Sequence, residues 1–167
     1  MKLKIFLIII AILSFSGCVK NFHPGYSIVL TPERIEKELK KGFPVKEKVD
    51  NITVTLRDPE VKINNNRIFI GTYLKSELWG FSVLRGTISV SGIPKFKEST
   101  RKLYIEAFQI EKLTVNGKKM EDENLKKVVS LFFKRVIGEI PVYTFKKKSK
   151  IKSIKVQNGK VYLKLGF

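Results

Sequence analysis

Few side chains in this sequence are suited to covalent chemistry, and the most telling is a lone cysteine. Cys18 is the single thiol in 167 residues, so no disulfide can form within the chain. It follows directly on Phe15-Ser16-Gly17. Small residues there let a chain enter a peptidase in extended form, and a thiol is the nucleophile that can accept a diacylglycerol. Once acylated, it is lost as a metal ligand or catalytic nucleophile. The single histidine, His23, lies beside Pro24 a few residues on. A general base needs a fixed partner and a pocket, and a short tether supplies neither. Glu121, Asp122 and Glu123 are adjacent carboxylates, but acidic residues in a first helical turn answer the helix dipole. A glycosidase pair contributed by distant strands would leave no local pattern. No G-x-S-x-G, H-E-x-x-H or phosphate-binding glycine loop occurs. The expectation is a protein that is not an enzyme and has no cofactor and no metal.

The residues ahead of Cys18 give that thiol a context. Lys2 and Lys4 are followed by an apolar run from Ile5 to Phe15. At about 11 residues it suits the apolar region of an export signal and falls short of the roughly 20 a spanning helix needs. Together with Ser16-Gly17-Cys18 it resembles the lipobox of bacterial lipoproteins, with Phe15 where leucine is commonest. The expected organisation is a signal peptide over 1–17, a lipidated tether over 18–26 and a single domain over 27–167. Two or three acyl chains on Cys18 would hold the protein firmly to a membrane. By resemblance to enterobacterial sorting, Val19 directs it to the outer membrane, facing the periplasm.

Charge narrows the choice of partners. The 33 basic side chains lose Lys2 and Lys4 on cleavage, so 31 oppose 15 acidic ones, a net +16. Such an excess attracts anionic surfaces. For an exported, tethered protein these are headgroups or cell-wall polymers rather than nucleic acid.

The elements that must position any site follow from periodicity. Thr31 is placed to cap a helix with Pro32 at its first position; Ile35 and Leu39 share its inner face and Gly42 closes it. From Asn51 to Val115 the apolar period is two. An Asn65-Asn66 turn would pair Ile63 with Ile68 and Val61 with Ile70. Long strands are expected over 68–78, 81–92 and 103–115. Residues 121–138 return to helical spacing, with Asp122 as N-cap and apolar residues over more than half the circumference of the last two turns. A helix apolar that far round is usually enclosed. Asn158-Gly159 marks a C-terminal hairpin with Val156 opposite Val161 and Ile154 opposite Leu163. Aromatic residues gather in the strands and the apolar helix. A sheet rolled about that helix could leave an apolar gap suited to acyl chains. Its candidate liners are Trp79, Phe81, Phe108, Val129, Phe132, Phe133 and Val136.

This order of elements resembles the YceB-like lipoproteins of Gram-negative bacteria, a domain of unknown function. The likeness rests on Cys18, Tyr26-Ser27-Ile28 before the first helix, and Leu56-Arg57-Asp58-Pro59. It continues through Pro141-Val142-Tyr143 and the ending from Gly159-Lys160-Val161 to Leu165-Gly166-Phe167. That family is similar in fold to the tubular lipid-binding (TULIP) superfamily. The resemblance implies an α+β fold with a long, strongly curved antiparallel β-sheet wrapped around the apolar helix, plus a short N-terminal amphipathic helix. It also implies a phospholipid or fatty-acid ligand between helix and sheet. The alternative is a basic interaction module docking on anionic envelope polymers or a protein partner.

Overall fold

The computed structural model describes residues 26–146 and 150–166. Cys18 and His23 lie outside them, as do the expected signal peptide and nearly all of the tether. In chain order the elements are β1 (Ser27–Leu30), α1 (Pro32–Leu39), β2 (Val45–Val49), β3 (Ile52–Asn64), β4 (Arg67–Leu78), β5 (Phe81–Lys97) and β6 (Lys102–Val115). β7 (Lys118–Lys119), α2 (Glu123–Val136), β8 (Tyr143–Thr144), β9 (Lys150–Gln157) and β10 (Lys160–Gly166) follow. β2 to β7 form one antiparallel sheet in sequence order, and β8 pairs with the start of β6. A second sheet has the order β1-β10-β9.

Both hairpins take the expected register. Ile63 faces Ile68 and Val61 faces Ile70 across an Asn65-Asn66 turn, both asparagines being left-handed. Val161 faces Val156 and Leu163 faces Ile154 across Asn158-Gly159. One face of β4 buries Ile68, Ile70, Thr72 and Leu74, and the facing row on β5 buries Ile88 and Val90. The small sheet adds Leu30, Val161, Leu163 and Leu165 to the same core. The Thr31 hydroxyl caps α1 by accepting from the Arg34 N–H, and Ile35 and Leu39 are fully buried.

Strands of this length stay paired by means of bulges. Asp58 has φ +53 where the β3–β4 register shifts, so Asp58-Pro59 bends β3 rather than ending it. β2 follows β3 only as far as Leu56. Past the bulge the Val61 N–H is satisfied from α1, by the Glu36 carboxylate at 3.2 Å. Hydrogen bonds from Lys40 and from Val61 hold the Glu36 carboxyl below its usual range. Between β5 and β6 the register shifts near Ser91, and Ala107 has φ +52. Arg67 bridges the irregularity. Its Nε donates to Ser91 Oγ at 2.7 Å, and its Nη2 donates to the carbonyls of Ser91 and Ala107. Ser91, fully buried, donates in turn to Glu111.

The expected helix wrapped by a strongly curved sheet does not form, and the α+β assignment gives way to a mostly β architecture with two short helices. α2 has 14 residues and lies chiefly along β6. Only Phe133 and Val136 of its described side chains are buried, while Leu131 is 68% exposed. The breadth of its apolar surface therefore reflects a helix with one buried flank and an uncovered leucine, not enclosure. Strand faces supply most of the core instead.

Two substitutions test these contacts. Arg67→Met strips charged donors from Ser91 and two carbonyls and should cost about 2 kcal/mol in urea unfolding. Thr72 carries the one buried side-chain polar atom without a partner among the described residues. Thr72→Val should raise the urea midpoint, by a stabilisation of about 1 kcal/mol.

Candidate functional site

The middle of β6 has no strand on its outer side. β8 pairs with β6 as far as Leu103 and β7 pairs with it from Thr114 onward, and between them α2 stands off from the edge. A cleft of about 620 Å³ lies in this gap. One wall is β6 at Ile105, Glu106, Ala107 and Phe108; the other is Leu131, Lys134, Arg135, Gly138 and Glu139 at the end of α2. The left-handed Ala107 makes the bulge after which Phe108 points back toward α2: its ring carbon lies 3.6 Å from where a Gly138 side chain would begin. A second cleft of about 530 Å³ adjoins the first through Glu106, Gly138 and Glu139 and reaches Phe96, Tyr104, Lys95 and Lys97.

The floor is apolar and the rim is charged. Ile105 is buried, Phe108 is half-buried and Leu131 is exposed. Arg135 donates to the Glu47 carboxylate, tying α2 to β2. Glu106 pairs with Lys95 at 2.8 Å. Lys134 has no ion-pair partner among the described residues. An amphiphile with an apolar body and an anionic end matches this distribution. The volume falls within the usual range of small-molecule sites, about 300–1,000 Å³.

The expected liners do not form one group. Phe108 lines the cleft. Val129 and Phe132 are half-buried against the core, the Phe132 ring edge-on to Phe133 at 6.1 Å. Phe133 and Val136 are core residues. Trp79 and Phe81 are 73% and 77% exposed, at the turn joining β4 to β5. Leu131, Lys134 and Arg135, which do line the cleft, are not among the expected liners. The signal available was that they share one end of the helix with Gly138.

Among the described residues no group of three or more His, Cys, Asp or Glu could hold a metal, and no helix is long and apolar enough to cross a membrane. Fold and cleft together define a mostly β domain of two antiparallel sheets with an open, amphipathic groove at one sheet edge. The chain belongs to the family described as "Protein of unknown function (DUF1439)", which matches residues 30–164. No curated protein matches it.

Gly138 sits where both clefts meet, and a Cβ there would lie 2.3 Å from the Lys134 carbonyl oxygen. Gly138→Ala should shift the end of α2 and cost about 1–3 kcal/mol, read as a lower melting temperature.

Proposed function

We propose that this protein is a lipid-anchored envelope lipoprotein of the YceB-like kind that binds a single lipid-like amphiphile, without catalysis, in the cleft between β6 and α2. The observation that carries the reading is the pairing of an apolar floor, Phe108 and Leu131, with the unpaired Lys134 at the rim. An acyl chain would lie along Phe108 and Leu131, and a phosphate or carboxylate would meet Lys134. Export and acylation at Cys18 are supported by the apolar run and the small residues that precede the thiol. Anchoring on the outer membrane, facing the periplasm, follows from Val19 by analogy with enterobacterial sorting.

Docking of the basic surface on anionic envelope polymers is the competing reading, favoured by the net charge of the chain. Salt separates the two: exposed electrostatic contacts weaken over a Debye length of about 8 Å at physiological ionic strength. A ligand held on an apolar floor survives high salt.

Native mass spectrometry of the purified protein in high salt should show a stoichiometric phospholipid or fatty-acid adduct. Leu131→Glu places a charge on the floor from a position exposed enough to leave folding intact. It should reduce adduct occupancy by about tenfold, the loss expected for about 1.4 kcal/mol of apolar contact. A bare mass after incubation with envelope lipids would remove this reading.

A further inference from the structure

The apolar residues left uncovered by the fold are not scattered. Trp79, Phe81, Val83 and Ile52 are 73%, 77%, 51% and 41% exposed and lie at one end of the large sheet. Ile52, Leu78 and Phe81 form a cross-strand row on the face that buries Leu74 and Ile70 further along. Val83 is the extra residue of a bulge beside them. Two turns make up the tip, Asp50-Asn51 and Trp79-Gly80, joined by the Trp79 N–H donating to the Asn51 carbonyl at 3.3 Å. Trp79 holds φ +49, a left-handed conformation that bulky side chains disfavour and that Asn or Gly adopts freely. A large aromatic kept there, in solvent, is costly locally and contributes nothing to the core.

Cations lie behind this tip on the opposite face of the sheet, where Lys48 is in line with Thr53 and Glu77, and Lys46 with Thr55, Lys75 and Arg85. Lys46 and Lys48 on β2 and Arg85 on β5 have no carboxylate partner among the described residues. Of the nearby acids, Glu77 is bound by Lys75 at 2.6 Å and Glu47 by Arg135 on α2. The Lys75 hydrogen bond, with smaller help from the charges of Lys75 and Lys46, holds the Glu77 carboxyl below its usual range, so it stays ionised and neutralised by lysine. Asp50 is the remaining acid of the two turns.

We propose that this tip docks on an anionic phospholipid bilayer, with Trp79 and Phe81 entering the headgroup region and Lys46, Lys48 and Arg85 facing lipid phosphates. Tryptophan favours that interface because its ring is apolar and its N–H is polar. Basic side chains near the surface are drawn by its negative potential. A second copy of the chain fits less well, because a two-fold contact would set the same cations against one another. The tip is distinct from the β6–α2 cleft, and neither reading depends on the other.

Trp79 is the sole tryptophan of the chain, so its emission reports the tip alone. That matters because an N-terminal anchor would bring the protein to vesicles by itself. The full chain is mixed with vesicles of equimolar phosphatidylcholine and phosphatidylglycerol, and separately with phosphatidylcholine alone. The expected result is a blue shift of Trp79 and protection from aqueous acrylamide on the anionic vesicles, much reduced on the neutral ones. Phe81→Ser and the Lys46→Glu/Lys48→Glu double variant should each abolish the shift at unchanged melting temperature. An unshifted, quenchable Trp79 on protein that floats with anionic vesicles overturns the proposal. So does a blue shift that appears without lipid and tracks dimer formation in the ultracentrifuge.

Discussion

Strands of 12 to 17 residues seldom stay aligned along their whole length, because twist accumulates faster than side chains on one face can keep in step. In this protein the mismatch is released at a few bulges, and each frees backbone groups that must be satisfied. The Arg67 guanidinium does this beside the Asn65-Asn66 turn, where β3 to β6 alone lie abreast. From β4 it reaches across β5 to the carbonyl of Ala107 on β6, and it fixes the buried Ser91 hydroxyl on the way. A rigid planar donor is suited to such a span, where several acceptors lie in one plane. Ser91 then engages Glu111, so three strands share one polar chain.

The cleft follows from that arrangement. The bulge at Ala107 turns Phe108 toward α2, and Gly138, which carries no side chain, leaves the space beside the Phe108 ring open. The ion pair between Arg135 and Glu47 draws the helix toward β2 on its other flank. The groove is therefore a by-product of how a long sheet absorbs its own twist, and its polar rim consists of residues that also hold the helix in place.

Local signals in the sequence were strong wherever a turn or cap had a single solution. Asn65-Asn66, Asn158-Gly159 and Thr31-Pro32 each specify their geometry through φ preference or hydrogen bonding, and each formed as read. What periodicity could not convey was how far a given element is covered. Leu131 and Phe133 are both apolar and lie on opposite sides of α2, yet one is in solvent and the other is wholly buried, because β6 passes on one side only. Trp79 and Phe81, expected to line a gap between helix and sheet, sit instead in an exposed turn that has no asparagine and only one glycine to announce it. β2 was missed because Lys46, Glu47 and Lys48 leave a single apolar residue at each end of the strand.

The two sheet margins have a further consequence, for solubility. A long sheet with open sides is a template for more strands, whether from a copy of itself or from an unfolding neighbour. Here β3 beyond Leu56 is capped by a carboxylate from α1, and β6 between Leu103 and Leu113 is shadowed by α2. The helices add modestly to the core, but they stand where polymerisation would begin. A chain of this family that lost α2 would keep most of its sheet and gain an unguarded edge, and its hazard would be fibre growth rather than simple unfolding.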